Sequence, residues 1–193
     1  MKNQKELRKN YKIITLPTLL NISRVVLTFV VIYMIIVESN VVNIVVVFVI
    51  AALTDWFDGK IARKYNLVNE FGRKADVFAD RFLWVGTAIA FLVFFGLRER
   101  LNYLYGIQLL LIMIREIITA PFAIAAFFSG VLFQHTRYIA KLTTFIQGFA
   151  LPALLLSVYY HGWSYFSIPL SIVLGVIGFI SGLYYIRDVN NIK

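Results

Sequence analysis

Four aspartates carry most of the chemical potential of this 193-residue chain, because they fall in two pairs at helical spacing. Asp55 and Asp58 are three residues apart, and Asp76 and Asp80 are four apart, so on helices each pair shares one face. The first pair follows an apolar run from Val41 to Leu53, and the second opens another run that continues to residue 95. The short stretch between 62 and 73 predicts antiparallel neighbouring helices. At about 1.5 Å rise per residue, Asp55 lies about 4.5 Å deeper than Asp58, and Asp80 about 6 Å deeper than Asp76. This arrangement sets Asp55 level with Asp80 and Asp58 level with Asp76. Four carboxylates would then converge at one end of two helices.

Unmatched, such a cluster is costly, since one carboxylate centred in a bilayer helix costs about 2.5–3.5 kcal/mol even on permissive scales. Mutual repulsion adds to that and raises carboxyl pKa values. Two divalent cations would neutralise four negative charges. Ligands that are all oxygen favour a hard ion, Mg²⁺ first and Mn²⁺ second. Paired metals about 3.5–4 Å apart are a recurring device for displacement at phosphorus. Gly59, Ala62 and Gly72 leave room beside the carboxylates, and Arg63, Arg73, Lys74 and Arg81 supply cations suited to phosphate oxygens. A purely structural ion network is the alternative use of these charges.

The elements that must position these residues follow from composition. Apolar residues make up 60% of the chain and charged ones 15%, far from the balance of a soluble domain. The absence of cysteine removes disulfides, thiolate chemistry and zinc–thiolate sites. With only His135 and His161, histidine-rich metal sites and most triad chemistry are not expected either. Six stretches are long enough to cross about 30 Å of hydrocarbon as helices. They cover 16–37, 41–62, 73–95, 103–128, 139–160 and 164–186, and no gap between them holds a further domain. The expected fold is a single all-α membrane domain over 1–193, with six transmembrane helices and residues 1–15 as a short interfacial helix. Leu7, Tyr11 and Ile14 among cations suit a helix lying on an anionic surface, and a solvated basic tail explains them as well.

The net charge of +9 is distributed by side rather than spread for nucleic acid, which is not an expected partner. Fifteen Lys and Arg residues fall near one set of helix ends, against Arg98 and Arg100 on the other. The positive-inside rule then places both termini and the aspartates on the cytoplasmic side.

The pattern of Asp55, Asp58, Gly59, Ala62, Arg63, Gly72, Asp76 and Asp80 resembles the signature of the CDP-alcohol phosphatidyltransferases at every spacing. The resemblance implies a CDP-linked lipid, commonly CDP-diacylglycerol, whose pyrophosphate sits at the metals while an acceptor hydroxyl attacks and CMP leaves. It implies Asp55, Asp58 and Asp76 as principal metal ligands and Asp80 as base, with a possible share in the metal. Gly59, Ala62 and Gly72 would let the CDP-lipid approach, and Arg63 would help hold it. A homodimer is implied as well.

Further features are similar to the phosphatidylglycerolphosphate synthases, whose acceptor is glycerol 3-phosphate. These are Pro17 with Arg24, the pair Arg115-Glu116, and the segment Ala140-Lys141-Leu142-Thr143-Thr144 followed by Gln147. Arg24, Arg115, Lys141 and Arg73 are the candidate ligands of an acceptor phosphate, with interhelical ion pairs as their structural alternative. Adjacent helix positions point about 100° apart, so Arg115 and Glu116 are not expected to satisfy one another. The chain departs from the pattern at Leu16, Thr18, Val77, Arg81, Ala140 and Thr143, which leaves inositol phosphate, serine or a second lipid open as acceptor.

Two other classes also use intramembrane carboxylates. A UbiA-type prenyltransferase places its aspartate motifs far apart in a longer chain, whereas Asp58 and Asp76 are 18 positions apart (76 − 58). A cation transporter places its carboxylates near midplane. Trp56, Phe57 and Trp84 are expected to pack, and His135 and His161 to be solvated. Gly175, Gly178 and Gly182 share one face and suit either a dimer seam or packing within the chain.

Overall fold

Long runs of Val, Ile, Leu and Phe interrupted only by short polar segments give six helices among the described residues of the computed structural model, which are 16–65, 70–97, 102–128 and 138–190. Residues 1–15, with the expected interfacial helix, lie outside the described residues. So do the side chains of 16–18, 55–65, 70–78, 80, 94, 123–128, 189 and 190. In chain order the helices are α1 (Leu16–Ile36), α2 (Val41–Tyr65), α3 (Glu70–Leu97), α4 (Tyr103–Phe128), α5 (Tyr138–Tyr159) and α6 (Ser164–Asn190). A single 3₁₀ turn, His161–Trp163, links the last two and leaves His161 exposed.

Local chemistry sets the turns. Glu38 takes a left-handed backbone (φ 53°), and the Ser39 amide reaches back to Met34 O at 3.0 Å. That bond closes the end of α1 in a Schellman-type cap. Asn40 then starts α2, its Oδ1 accepting from the Val42 amide at 2.9 Å.

Four helices hold a stretch long and apolar enough to cross a membrane: Leu19–Ile36, Tyr103–Phe122, Tyr138–Tyr159 and His161–Asp188. In α2 and α3 the apolar runs are shorter, Val41–Thr54 and Arg81–Leu97, because both helices continue into polar turns that carry the aspartates. Val26, Phe29, Tyr33, Ile172, Val176 and Phe179 among others stand exposed on the outside of the bundle. An apolar exterior of this extent needs lipid as its solvent. This is a membrane protein.

Helix α5 runs through the centre, buried on all sides from Ala150 to Ser157. The core builds on Phe48, Trp84, Phe91, Phe95, Leu151, Leu154 and Leu155. Trp84 meets Phe48 edge-on with ring centroids 5.5 Å apart, and its ring tip lies 3.8 Å from where a Cβ on Gly148 would stand. It is a packing residue, as its type suggests. Phe95 meets Phe91 at 4.8 Å and Tyr159 at 6.0 Å, extending the aromatic seam toward the opposite end of the bundle.

The chain forms two packed trios, α1–α2–α3 and α4–α5–α6, joined chiefly where α5 lies on α2. Helices α4 and α6 run parallel and make the most extensive contact, and the glycines of α6 explain why. A Cβ on Gly175 would stand 2.6 Å from Leu111 Cδ2, one on Gly178 3.1 Å from Ile114 Cγ2, and one on Gly182 2.9 Å from Ile118 Cγ2. The stripe is therefore used within the chain, which settles the choice left open between packing and a dimer seam. Gly182→Leu should force α4 and α6 apart and destabilise the fold by about 1–3 kcal/mol, the usual range for overpacking. A thermal-unfolding measurement in detergent checks it, and an unchanged midpoint would contradict the account.

Candidate active site

The two aspartate helices are arranged around α1. Helix α1 packs on both α2 and α3, whereas α2 and α3 touch each other only slightly among the described residues. The expectation that they are simple antiparallel neighbours therefore needs correcting. Small side chains permit the insertion: a Cβ on Gly86 would meet Ile32 Cδ1 at 3.4 Å and Thr28 Cγ2 at 3.6 Å. Phe29 meets Phe82 with centroids 5.2 Å apart.

Where α2 and α3 do meet, Phe48 against Trp84, the contact gives a common reference along both helices. From Phe48, Asp55 is seven residues along α2, about 10.5 Å, and Asp58 is about 15 Å along. From Trp84, Asp80 is four residues back along α3, about 6 Å, and Asp76 about 12 Å. Both pairs thus occupy the same end of the bundle. The side chains of Asp55, Asp58, Gly59, Ala62, Arg63, Gly72, Arg73, Asp76 and Asp80 lie outside the described residues. Among the described residues, no group of three or more His, Asp or Glu side chains gathers to hold a metal.

Arg24 on α1 reaches the same level. Counting back five residues from the Phe29–Phe82 contact puts Arg24 about 7.5 Å along α1, beside the Asp76–Asp80 turn of α3. Its side chain is fully buried, and Nε lies 3.5 Å from Thr54 Oγ1, on the residue that precedes Asp55. Thr54 Oγ1 itself donates to Ala51 O at 2.6 Å, which fixes it as an acceptor facing α1. A buried guanidinium persists only where anions or polar acceptors match it.

The second cationic site lies between α4 and α5. Arg115 donates to Glu116 Oε1 from both Nε (3.0 Å) and Nη2 (2.6 Å). Its Nη1 donates to Ala140 O at 2.7 Å and to Thr144 Oγ1 at 2.8 Å. The expectation that neighbours in sequence would not satisfy one another is wrong here. The arginine side chain is long enough to bend round the helix and take a fork-like grip on one oxygen. Glu116 Oε2 accepts in turn from Gln147 Nε2 at 3.2 Å. Sequence reasoning placed Gln147 and Thr144 in a family-like segment without seeing this network. The available signal was an intramembrane Glu facing polar residues spaced i, i+3 on the next helix. Arg115 is thus engaged by protein acceptors, whereas Lys141 one turn away is exposed and, among the described residues, has no side-chain partner.

A bundle of apolar helices with two aspartate-bearing turns at one end and the buried Arg24 beside them defines a class. The sequence profile of the CDP-alcohol phosphatidyltransferases matches residues 14–178, and the chain belongs to that family of transferases. Curated relatives make the comparison more specific. The chain is 34% identical over 168 residues to a CDP-diacylglycerol–glycerol-3-phosphate 3-phosphatidyltransferase of Rickettsia typhi, covering 86% of this chain and 90% of that one. The enzyme of the same name from Rickettsia prowazekii is also 34% identical, over 86% of this chain and 88% of its own length. One from Bacillus subtilis is 50% identical over 52 residues, 27% of this chain and 26% of its own.

Arg115 and Glu116 form a buried ion pair with side chains 14% and 5% exposed. Removing one partner of such a pair strands the other charge, at about 3–5 kcal/mol. Glu116→Leu should therefore lower thermal stability steeply, and a variant as stable as the parent would show that the pair is not structurally important.

Proposed function

We propose that this chain transfers a phosphatidyl group from CDP-diacylglycerol to glycerol 3-phosphate, releasing CMP and forming phosphatidylglycerolphosphate. The observation that carries the reading is the 34% identity, over most of both chains, to relatives named for that reaction. The full set of signature residues from Asp55 to Asp80 supports it.

The donor chemistry fits a pair of divalent cations, Mg²⁺ before Mn²⁺. Asp55, Asp58, Asp76 and Asp80 offer only hard oxygen ligands, and the backbone register sets both pairs at one end of the bundle. When bound, the ions would offset the negative charge of the pyrophosphate and of the CMP leaving group. Asp55, Asp58 and Asp76 are the ligands in this reading. Asp80 takes the proton of the acceptor hydroxyl as its oxygen bonds to the lipid-side phosphorus. The bond from that phosphorus to the CMP oxygen breaks, and CMP departs with the electron pair. Asp80 suits the role because it is the deepest of the four along the helix axes, where the lipid phosphorus enters. Gly59, Ala62 and Gly72 leave space for the nucleotide, and Arg63 holds a phosphate oxygen.

The acceptor's phosphate meets Arg24, Arg73 and Lys141. Arg24 lies at the depth of the aspartates, and Lys141 presents an exposed cation from α5. The distribution of Lys and Arg supports a cytoplasmic active site, and the apolar runs Val41–Thr54 and Arg81–Leu97, packed beside the longer span of α1, support six crossings in all. A homodimer, which the family resemblance implies, would use a face other than the α6 glycines.

Purified protein with CDP-diacylglycerol and Mg²⁺ should release CMP with glycerol 3-phosphate, and not with inositol phosphate, inositol or serine. EDTA should abolish release. Turnover with one of the other acceptors instead would overturn the assignment of substrate. Asp80→Asn should remove turnover while leaving CDP-lipid binding measurable, and full activity in that variant would refute its role as base.

A further inference from the structure

We infer that Arg115, Glu116, Gln147 and Thr144 form a positioning network that fixes the peptide plane before Lys141, and so aims that lysine at the acceptor's anionic group. The inference rests on the reading of Lys141 given above. Its basis is the set of atoms that Arg115 grips. A guanidinium carries five N–H donors, and here four hydrogen bonds go to protein atoms. One donor at most remains for an incoming anion. Arg115 is thus built to hold protein in place.

What it holds is specific. The Ala140 carbonyl and the Lys141 amide belong to one rigid peptide plane, so fixing the oxygen fixes where the lysine backbone points. Arg115 Nη1 lies 2.7 Å from that oxygen, and the Thr144 hydroxyl donates to the same oxygen at 3.2 Å while accepting from Nη1. The three atoms close a triangle on the first turns of α5. The other side of the guanidinium is anchored by Glu116, whose second oxygen takes the amide of fully buried Gln147. Helix α6 closes the back: a Cβ on Gly178 would lie 3.5 Å from Arg115 Cβ and 3.6 Å from its backbone nitrogen. Every link in this chain of contacts is buried or half-buried, and it ends at an exposed cation.

A positioning role differs from direct phosphate binding in what Glu116→Gln does. Neutralising Glu116 loosens the grip on Arg115 and lets the first turn of α5 drift. KM for glycerol 3-phosphate should then rise several-fold, with kcat and KM for CDP-diacylglycerol little changed. Thr144→Val, which removes the hydrogen bond accepted from Arg115 and the one donated to the Ala140 carbonyl while leaving the ion pair in place, should act in the same direction. Neither should add much in a background carrying Lys141→Ala, because coupled residues are not additive. Were Arg115 a phosphate ligand, Glu116→Gln would free its donors and lower that KM, which would overturn the inference. Amide hydrogen exchange of full-length protein in nanodiscs supplies a readout independent of turnover. Exchange over 140–144 should accelerate in both variants while the remainder of α5 keeps its protection. Should the parent protein fail to use glycerol 3-phosphate, the functional reading falls while the exchange result still decides the clamp. Unaltered exchange in both variants would overturn it.

Discussion

Charge inside a bilayer has to be matched, and that requirement organises this molecule. Water is not available to solvate a carboxylate or guanidinium among lipid-facing helices, so each must find a counter-charge, a polar acceptor or a bound ion. The chain meets the requirement in two places. Between α4 and α5, Arg115 and Glu116 neutralise one another and draw in Gln147, Thr144 and a backbone carbonyl. At the end shared by α1, α2 and α3, the buried guanidinium of Arg24 lies against Thr54, next to the helix turns that carry the four aspartates. In the function proposed above, cations and phosphates are the partners matched at this second place, whereas the first is closed on itself.

The packing follows from keeping both places intact. Helix α1 wedges between the aspartate helices, and Gly86 lets Thr28 and Ile32 come close. The Phe48–Trp84 contact then joins α2 to α3. In the other trio the glycines of α6 bring its backbone against α4 at Leu111, Ile114 and Ile118, directly behind Arg115. Central α5 touches both trios and carries Lys141 at the end where the aspartates lie. Small residues appear where helices must approach, and aromatic ones where α2 meets α3.

Much of this was legible in the sequence. The expected spans 16–37 and 103–128 correspond to helices Leu16–Ile36 and Tyr103–Phe128, because bilayer thickness dictates the length of an apolar run. The aspartate pairs stood out because spacing alone determines which helix positions share a face. Three features were hidden for physical reasons. Which helices touch is a three-dimensional outcome, so the insertion of α1 between α2 and α3 left no pattern in the chain. Which side chains join α2 to α3, Phe48 and Trp84, is decided by how the rings fit in space and not by the loop between the helices. The pairing of Arg115 with Glu116 escaped because the reach of a long side chain offsets the angle between adjacent positions.

The central claim is that Asp55, Asp58, Asp76 and Asp80 act as one cluster holding two divalent cations. Binding of Mn²⁺ to the protein in nanodiscs, followed by electron paramagnetic resonance, tests it without reference to substrate. The account predicts two spin-coupled ions per chain, close to the spacing of about 4 Å common to paired-metal sites, and loss of the coupling in Asp58→Asn and in Asp76→Asn. A single isolated ion, or binding indifferent to both substitutions, would contradict it.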